Sequence, residues 1–72
     1  MYIPVKIIEQ FVRNVKAERS RIGLSQEYLA EKMKVNPQYI SRIECGRQNM
    51  SLKKIVELTN SLGADLKDIL RF

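Results

Sequence analysis

Between the segments "QEYLAEKM" and "PQYISRIEC" the chain leaves only Lys34, Val35 and Asn36. That brevity restricts the fold more than any other feature. Both segments carry apolar residues at helical spacing, and two short helices joined so tightly must cross steeply, at roughly 90–120°. A steep, close crossing needs a small residue on the first helix where the second leans on it, and Ala30 stands there. Val35 can plug the turn, while Ile40 and Ile43 anchor the second helix from beneath. The spacing of these positions is the one a helix-turn-helix over about 26–45 requires. The second helix buries only that pair and turns Gln38, Ser41, Arg42 and Cys45 outward, where a surface helix usually carries solubilising Lys and Glu.

The rest of the chain reads as helix in the same way. Gly23, Gly46 and Gly63 follow periodic segments, as helix-stopping residues do. Ser25, Asn36, Ser51 and Asp65 precede such segments and suit N-caps, and Pro37 suits a first helical position, where a missing N–H costs nothing. Five helices are predicted, over about 4–22, 26–33, 37–45, 52–62 and 66–71, with no strand-like alternation, repeat or linker. The inward sets are Ile8, Phe11, Val12, Val15 and Ile22 on the first; Leu29, Ala30 and Met33 on the second; Leu52, Ile55, Val56, Leu58 and Leu62 on the fourth; and Leu66, Ile69 and Leu70 on the fifth. The expectation is one all-α domain over 1–72 with one contiguous core.

Composition narrows the function classes. The chain has 72 residues, 44% of them hydrophobic and 29% charged, which is the balance of a small soluble globular protein. No apolar run approaches the ~20 residues of a membrane span, and "MYIPVKIIEQ" lacks the layout of a signal peptide, so a cytoplasmic protein is expected. With no histidine and one cysteine, neither a zinc site nor an internal disulfide is available. No P-loop and no nucleophile–base pair is visible, so the chain is read as no enzyme and as needing no cofactor. The net charge is +5, and residues 36–54 alone carry Arg42, Arg47, Lys53 and Lys54 against Glu44, a local +3 that suits a polyanion.

The outward face of the third helix then has a chemical reading. Gln38 and Arg42 are four apart and share one side. Gln can pair with the N6/N7 edge of adenine and Arg with O6/N7 of guanine in the major groove. Tyr39 and Ser41 flank them, and Asn36 can add a contact to its capping role. Tyr39 could equally pack against the second helix, and a simply solvated polar face is the plain alternative for the whole set.

From "ERSRIGLSQEYLAEKM" through "NPQYISRIECGRQNMSLKKIVELTNSLGADLKDIL" the sequence resembles the Cro/cI-type repressors of the XRE family, whose fold is the five-helix lambda-repressor-like domain. Within it the chain is most similar to the short controller proteins of restriction–modification systems, through "YISRIE" followed by "RQNMSL". The resemblance implies a transcriptional regulator bound to double-stranded DNA. It implies that Gln26 holds a phosphate and that Arg47, Asn49 and the Ser51 start of the fourth helix grip the other strand's backbone, with Lys53 and Lys54 adding charge there. It also pairs Arg19, on the apolar stripe of the first helix, with Glu44 beneath the reading helix. Lys34 stands at the first turn position, where the family commonly has glycine; if that residue adopts positive φ, the backbone there costs about 1 kcal/mol relative to glycine.

One helix reads few base pairs, so a homodimer on a near-palindromic operator is expected, with half-sites about 34 Å apart. Leu66, Ile69, Leu70 and Phe72 are the expected dimer surface, although such an apolar tail can also fold back on its own core. Two alternatives stay open: an antitoxin that binds its own operator and a toxin protein, and an interaction module that has left DNA. RNA polymerase is a further contact the controller resemblance leaves open. Cys45 at the end of the third helix has no second thiol to pair with.

Overall fold

The computed structural model describes all residues, 1–72, and every regular element is helical. The order is α1 (Pro4–Ile22), α2 (Gln26–Met33), α3 (Pro37–Glu44), α4 (Leu52–Leu62) and α5 (Leu66–Ile69). The predicted caps hold. Ser25, Asn36, Ser51 and Asp65 each accept a hydrogen bond from a backbone N–H in the first turn that follows. Each such cap stabilises its helix by typically about 1 kcal/mol. Two ends fall short of expectation: Cys45 caps α3 rather than extending it, and α5 is a single turn that stops at Ile69.

Lys34 ends α2 at φ 59°, the one non-glycine residue with positive φ. The conformation is held because the Val35 N–H reaches back to the Ala30 carbonyl at 2.9 Å, closing the turn on α2. Val35 packs against the core as the plug of this turn.

That core consists of Val15, Leu29, Ala30, Ile40, Ile43, Leu58, Leu62 and Ile69. α1 lies against α3, α4 and α5, and α2 against α3 and α4, so every helix contributes to one cluster. Ala30 is 1% exposed, which is how α3 comes close enough to α2 to bury Ile40 and Ile43.

Several residues expected inside are not. On α4, Leu52 and Val56 are exposed and Thr59 is buried in their place. Residues 55, 58, 59 and 62 make the inward stripe, and at 100° per residue Val56 lies about 110° from its centre. Thr59 is accommodated because its Oγ1 donates to the Ile55 carbonyl at 2.8 Å. On α1, Ile8 and Ile22 are exposed, leaving Val15 as its fully buried residue, and on α5 Leu66 is exposed.

Ile69 corrects the expected dimer surface. It is fully buried and has nothing to offer a partner. The tail folds back instead: Asn14 Nδ2 on α1 donates to the carbonyls of Ile69 at 3.0 Å and Arg71 at 2.9 Å. Leu70 is half-buried against the same core, and Leu66 and Phe72 remain exposed.

Candidate nucleic-acid interface

α3 has two unlike sides. Ile40 and Ile43 fix it to the core, and Glu44, at 4% exposed, sits under its last turn. Glu44 receives a forked grip from α1: Arg19 Nε donates to Oε2 at 2.6 Å and Nη2 to Oε1 at 3.0 Å. Arg19 Nη1 donates to the Leu24 carbonyl at 2.8 Å, which ties the loop before α2 into the same assembly. The hydrogen bond to Glu44 raises the Arg19 pKa above its ordinary value, with partial burial acting the other way. Planar two-point pairing of this kind is geometrically specific. The ion pair expected beneath the reading helix is therefore present.

Gln26 joins that pair. Its Nε2 donates to Glu44 Oε1 at 2.9 Å, so the side chain expected to hold a phosphate is engaged within the chain. Its place as the first residue of α2 set it within reach of a carboxylate that Arg19 alone does not saturate.

The outer side of α3 carries Gln38 and Arg42, both exposed, with Asn36 exposed at its start. The Asn36 side chain is occupied as a cap, accepting from the Gln38 N–H at 2.9 Å. Ser41 is half-buried, and Tyr39 is half-buried and packed against the core. Arg42 has a support that spacing did not reveal. Its Nε donates to Gln48 Oε1 at 3.1 Å, while Gln48 Nε2 donates to the Asn49 carbonyl at 3.1 Å. Six residues of separation across a loop leave no periodic signal for such a pair.

The loop that delivers Gln48 is shaped by Gly46, at φ 73°. A Cβ there would stand 3.4 Å from Ile8 Cγ2 as well as being strained by its backbone. After this turn the Arg47 N–H bonds the Arg42 carbonyl at 2.9 Å, which holds the start of the loop against α3. Arg47, Asn49, Ser51 and Lys53 all fall on the exposed stretch that follows, with the Ser51 hydroxyl capping α4. Lys54 is paired with Glu57 at 3.2 Å, so Arg42, Arg47 and Lys53 are the cations of this edge without an acidic partner. The result is a rigid short helix whose exposed side presents hydrogen-bonding groups, bordered by uncompensated positive charge.

No three His, Cys, Asp or Glu side chains are grouped to hold a metal. No helix is long and apolar enough to cross a membrane. Cys45 is a free, exposed thiol.

Comparison with known proteins agrees with this geometry. The sequence profile of the family described as "Helix-turn-helix" matches residues 15–69. The control protein C.BamHI of Bacillus amyloliquefaciens is 40% identical over 63 residues, covering 88% of this chain and 75% of that protein. The crystal structure of the restriction–modification controller protein C.AhdI from Aeromonas hydrophila superposes with a TM-score of 0.79 at 29% identity, covering 86% of this chain and 94% of that one. The controller protein C.Esp1396I, solved as a tetramer in complex with its natural 35 base-pair operator, matches with a TM-score of 0.77 at 26% identity, covering 90% of this chain and 96% of that one. A tight α2–α3 crossing over Ala30, an arginine–glutamate clasp under α3 and a profile match spanning most of the sequence lead to one assignment: the chain belongs to the Cro/cI-type (XRE) helix-turn-helix family.

Proposed function

We propose that the protein is a sequence-specific transcriptional regulator of the restriction–modification controller kind, acting in the cytoplasm as a homodimer on a near-palindromic operator. The observation that carries the reading is the division of α3: Ile40 and Ile43 are locked in the core while Gln38 and Arg42 stand exposed on the other side. Laid in the major groove, that side brings an amide to adenine and a guanidinium to guanine, with Gln48 holding the Arg42 fork in place. Arg47, Asn49, the Ser51 end of α4 and Lys53 meet phosphates, which fix register without reading sequence. Asn36 and Ser41 lie close enough to the same face to add contacts, whereas Tyr39 contributes chiefly by packing.

Dimerisation draws on Leu66, Phe72 and the exposed part of Leu70, which remain accessible once Ile69 is assigned to the core. A twofold pair of α3 helices reads half-sites about one helical turn, roughly 34 Å, apart. Selection of bound duplexes from a random pool tests the whole reading. A twofold-symmetric motif with that spacing is the expected result; an unenriched pool ends the proposal.

A further inference from the structure

Of the thirteen lysines and arginines, four have a carboxylate within ion-pair distance: Arg19, Arg21, Lys54 and Arg71. Two of the others, Arg13 and Lys16, are exposed neighbours at i, i+3 on α1. They line an open groove of about 540 Å³ whose opposite wall is Cys45 and Gly46, at the end of α3. Arg47 follows Gly46 in the chain, so the basic edge that borders α3 begins one residue beyond this wall. Its apolar floor includes Val12 and Ile8.

The acids of the groove do not cancel this charge. Glu44 is buried and committed to Arg19 and Gln26, which leaves Glu9 as the one free carboxylate of the lining. Arg13 and Lys16 against Glu9 leave the lining a net +1 once Glu44 is set against Arg19, and Arg47, adjacent in sequence to the wall, adds a further positive charge beside it. Arg13 also lies before residue 15, where the family profile begins to match, so it stands outside the shared motif.

We infer that Arg13 and Lys16 form a second, outlying phosphate-binding surface that takes the phosphodiester backbone flanking the half-site, continuing the line begun by Arg47. This rests on the DNA-binding reading above. Phosphates meet the two cations while the deoxyribose faces lie over the apolar floor. Such contacts are blind to sequence and add affinity that depends on salt and on the length of flanking duplex.

The test compares the intact protein with the Arg13→Gln/Lys16→Gln variant, and with Lys32→Gln as a control on an exposed cation of α2. Each is titrated with the selected operator, with a scrambled duplex, and with an operator trimmed of its flanks, over a range of salt. At about 0.9 in log–log slope per phosphate, the double variant should lose close to two per protomer while keeping its preference for operator over scrambled duplex. Trimming should weaken the intact protein and the control but leave the double variant unchanged. A double variant with the slope and flank dependence of the intact protein overturns this inference and leaves the proposed function standing. An intact protein with no preference for any duplex overturns both.

Discussion

Arg19 and Arg42 are the same side chain put to opposite uses. Arg19 is gripped at every edge of its guanidinium, by two oxygens of Glu44 and the Leu24 carbonyl, and its own shape specifies a joint between α1, the following loop and α3. Arg42 is steadied by one neutral amide at 3.1 Å and otherwise faces solvent. A guanidinium with all three nitrogens engaged by the protein is committed to that joint, while one held at Nε alone keeps its terminal nitrogens free for the guanine edge. In the proposed function, what separates a structural arginine from a reading one is the company of the residue and not its type.

Substitutions can break or sharpen that contrast. The largest effect is expected from Arg19→Ala, which leaves the buried Glu44 carboxylate without a cation and with the Gln26 amide as its remaining side-chain partner, and should cost about 3 kcal/mol of folding stability. Chemical denaturation followed by circular dichroism measures it, and a loss near zero would mean that the joint is ornamental. Arg42→Ala should leave folding within about 0.5 kcal/mol yet cost roughly 1–3 kcal/mol in operator binding, with preference relaxed at one base pair per half-site. Binding to a panel of single-base operator variants checks this; equal loss on every sequence would reduce Arg42 to a phosphate contact.

Arg47→Ala should do what Arg42→Ala does not. It should weaken all duplexes alike and flatten the salt dependence by about one unit per protomer, which titration at several ionic strengths resolves. The smallest effect is expected at the turn that separates the two helices. Lys34 holds φ 59° without the freedom of glycine, so Lys34→Gly should stabilise the fold by up to about 1 kcal/mol. A rise of a few degrees in Tm is the readout, and a clear fall would contradict the strain assigned to this residue.

The sequence made the helix ends readable because each is written in local chemistry. Ser25, Asn36, Ser51 and Asp65 cap by reaching their own neighbouring amides, and no distant partner is needed. The same holds for the two sides of α3, where Ile40 and Ile43 contrast with Gln38 and Arg42 over a single turn. Burial along α4 was less readable. Leu52 and Val56 are as apolar as Leu58, and the packing of α1, α2 and α5 decides where the centre of the covered stripe falls. The choice between core and partner for Ile69 was open for the same reason, since its burial goes with Asn14 holding the chain end on α1 across 55 residues. Gln26 and Gln48 escaped because an amide fits nearly any polar surrounding, and its partner is settled only once the loops are folded.

The clasp under α3 has a thermodynamic corollary for encounter with DNA. Because Arg19 joins Glu44 to the Leu24 carbonyl, α3, the helix proposed to read the operator, is already tied to α1 and the following loop in the free protein. Docking then surrenders little conformational entropy beyond that of the exposed side chains. Association of this kind is pre-organised: the ordering that a flexible reader would undergo at the operator has already taken place during folding.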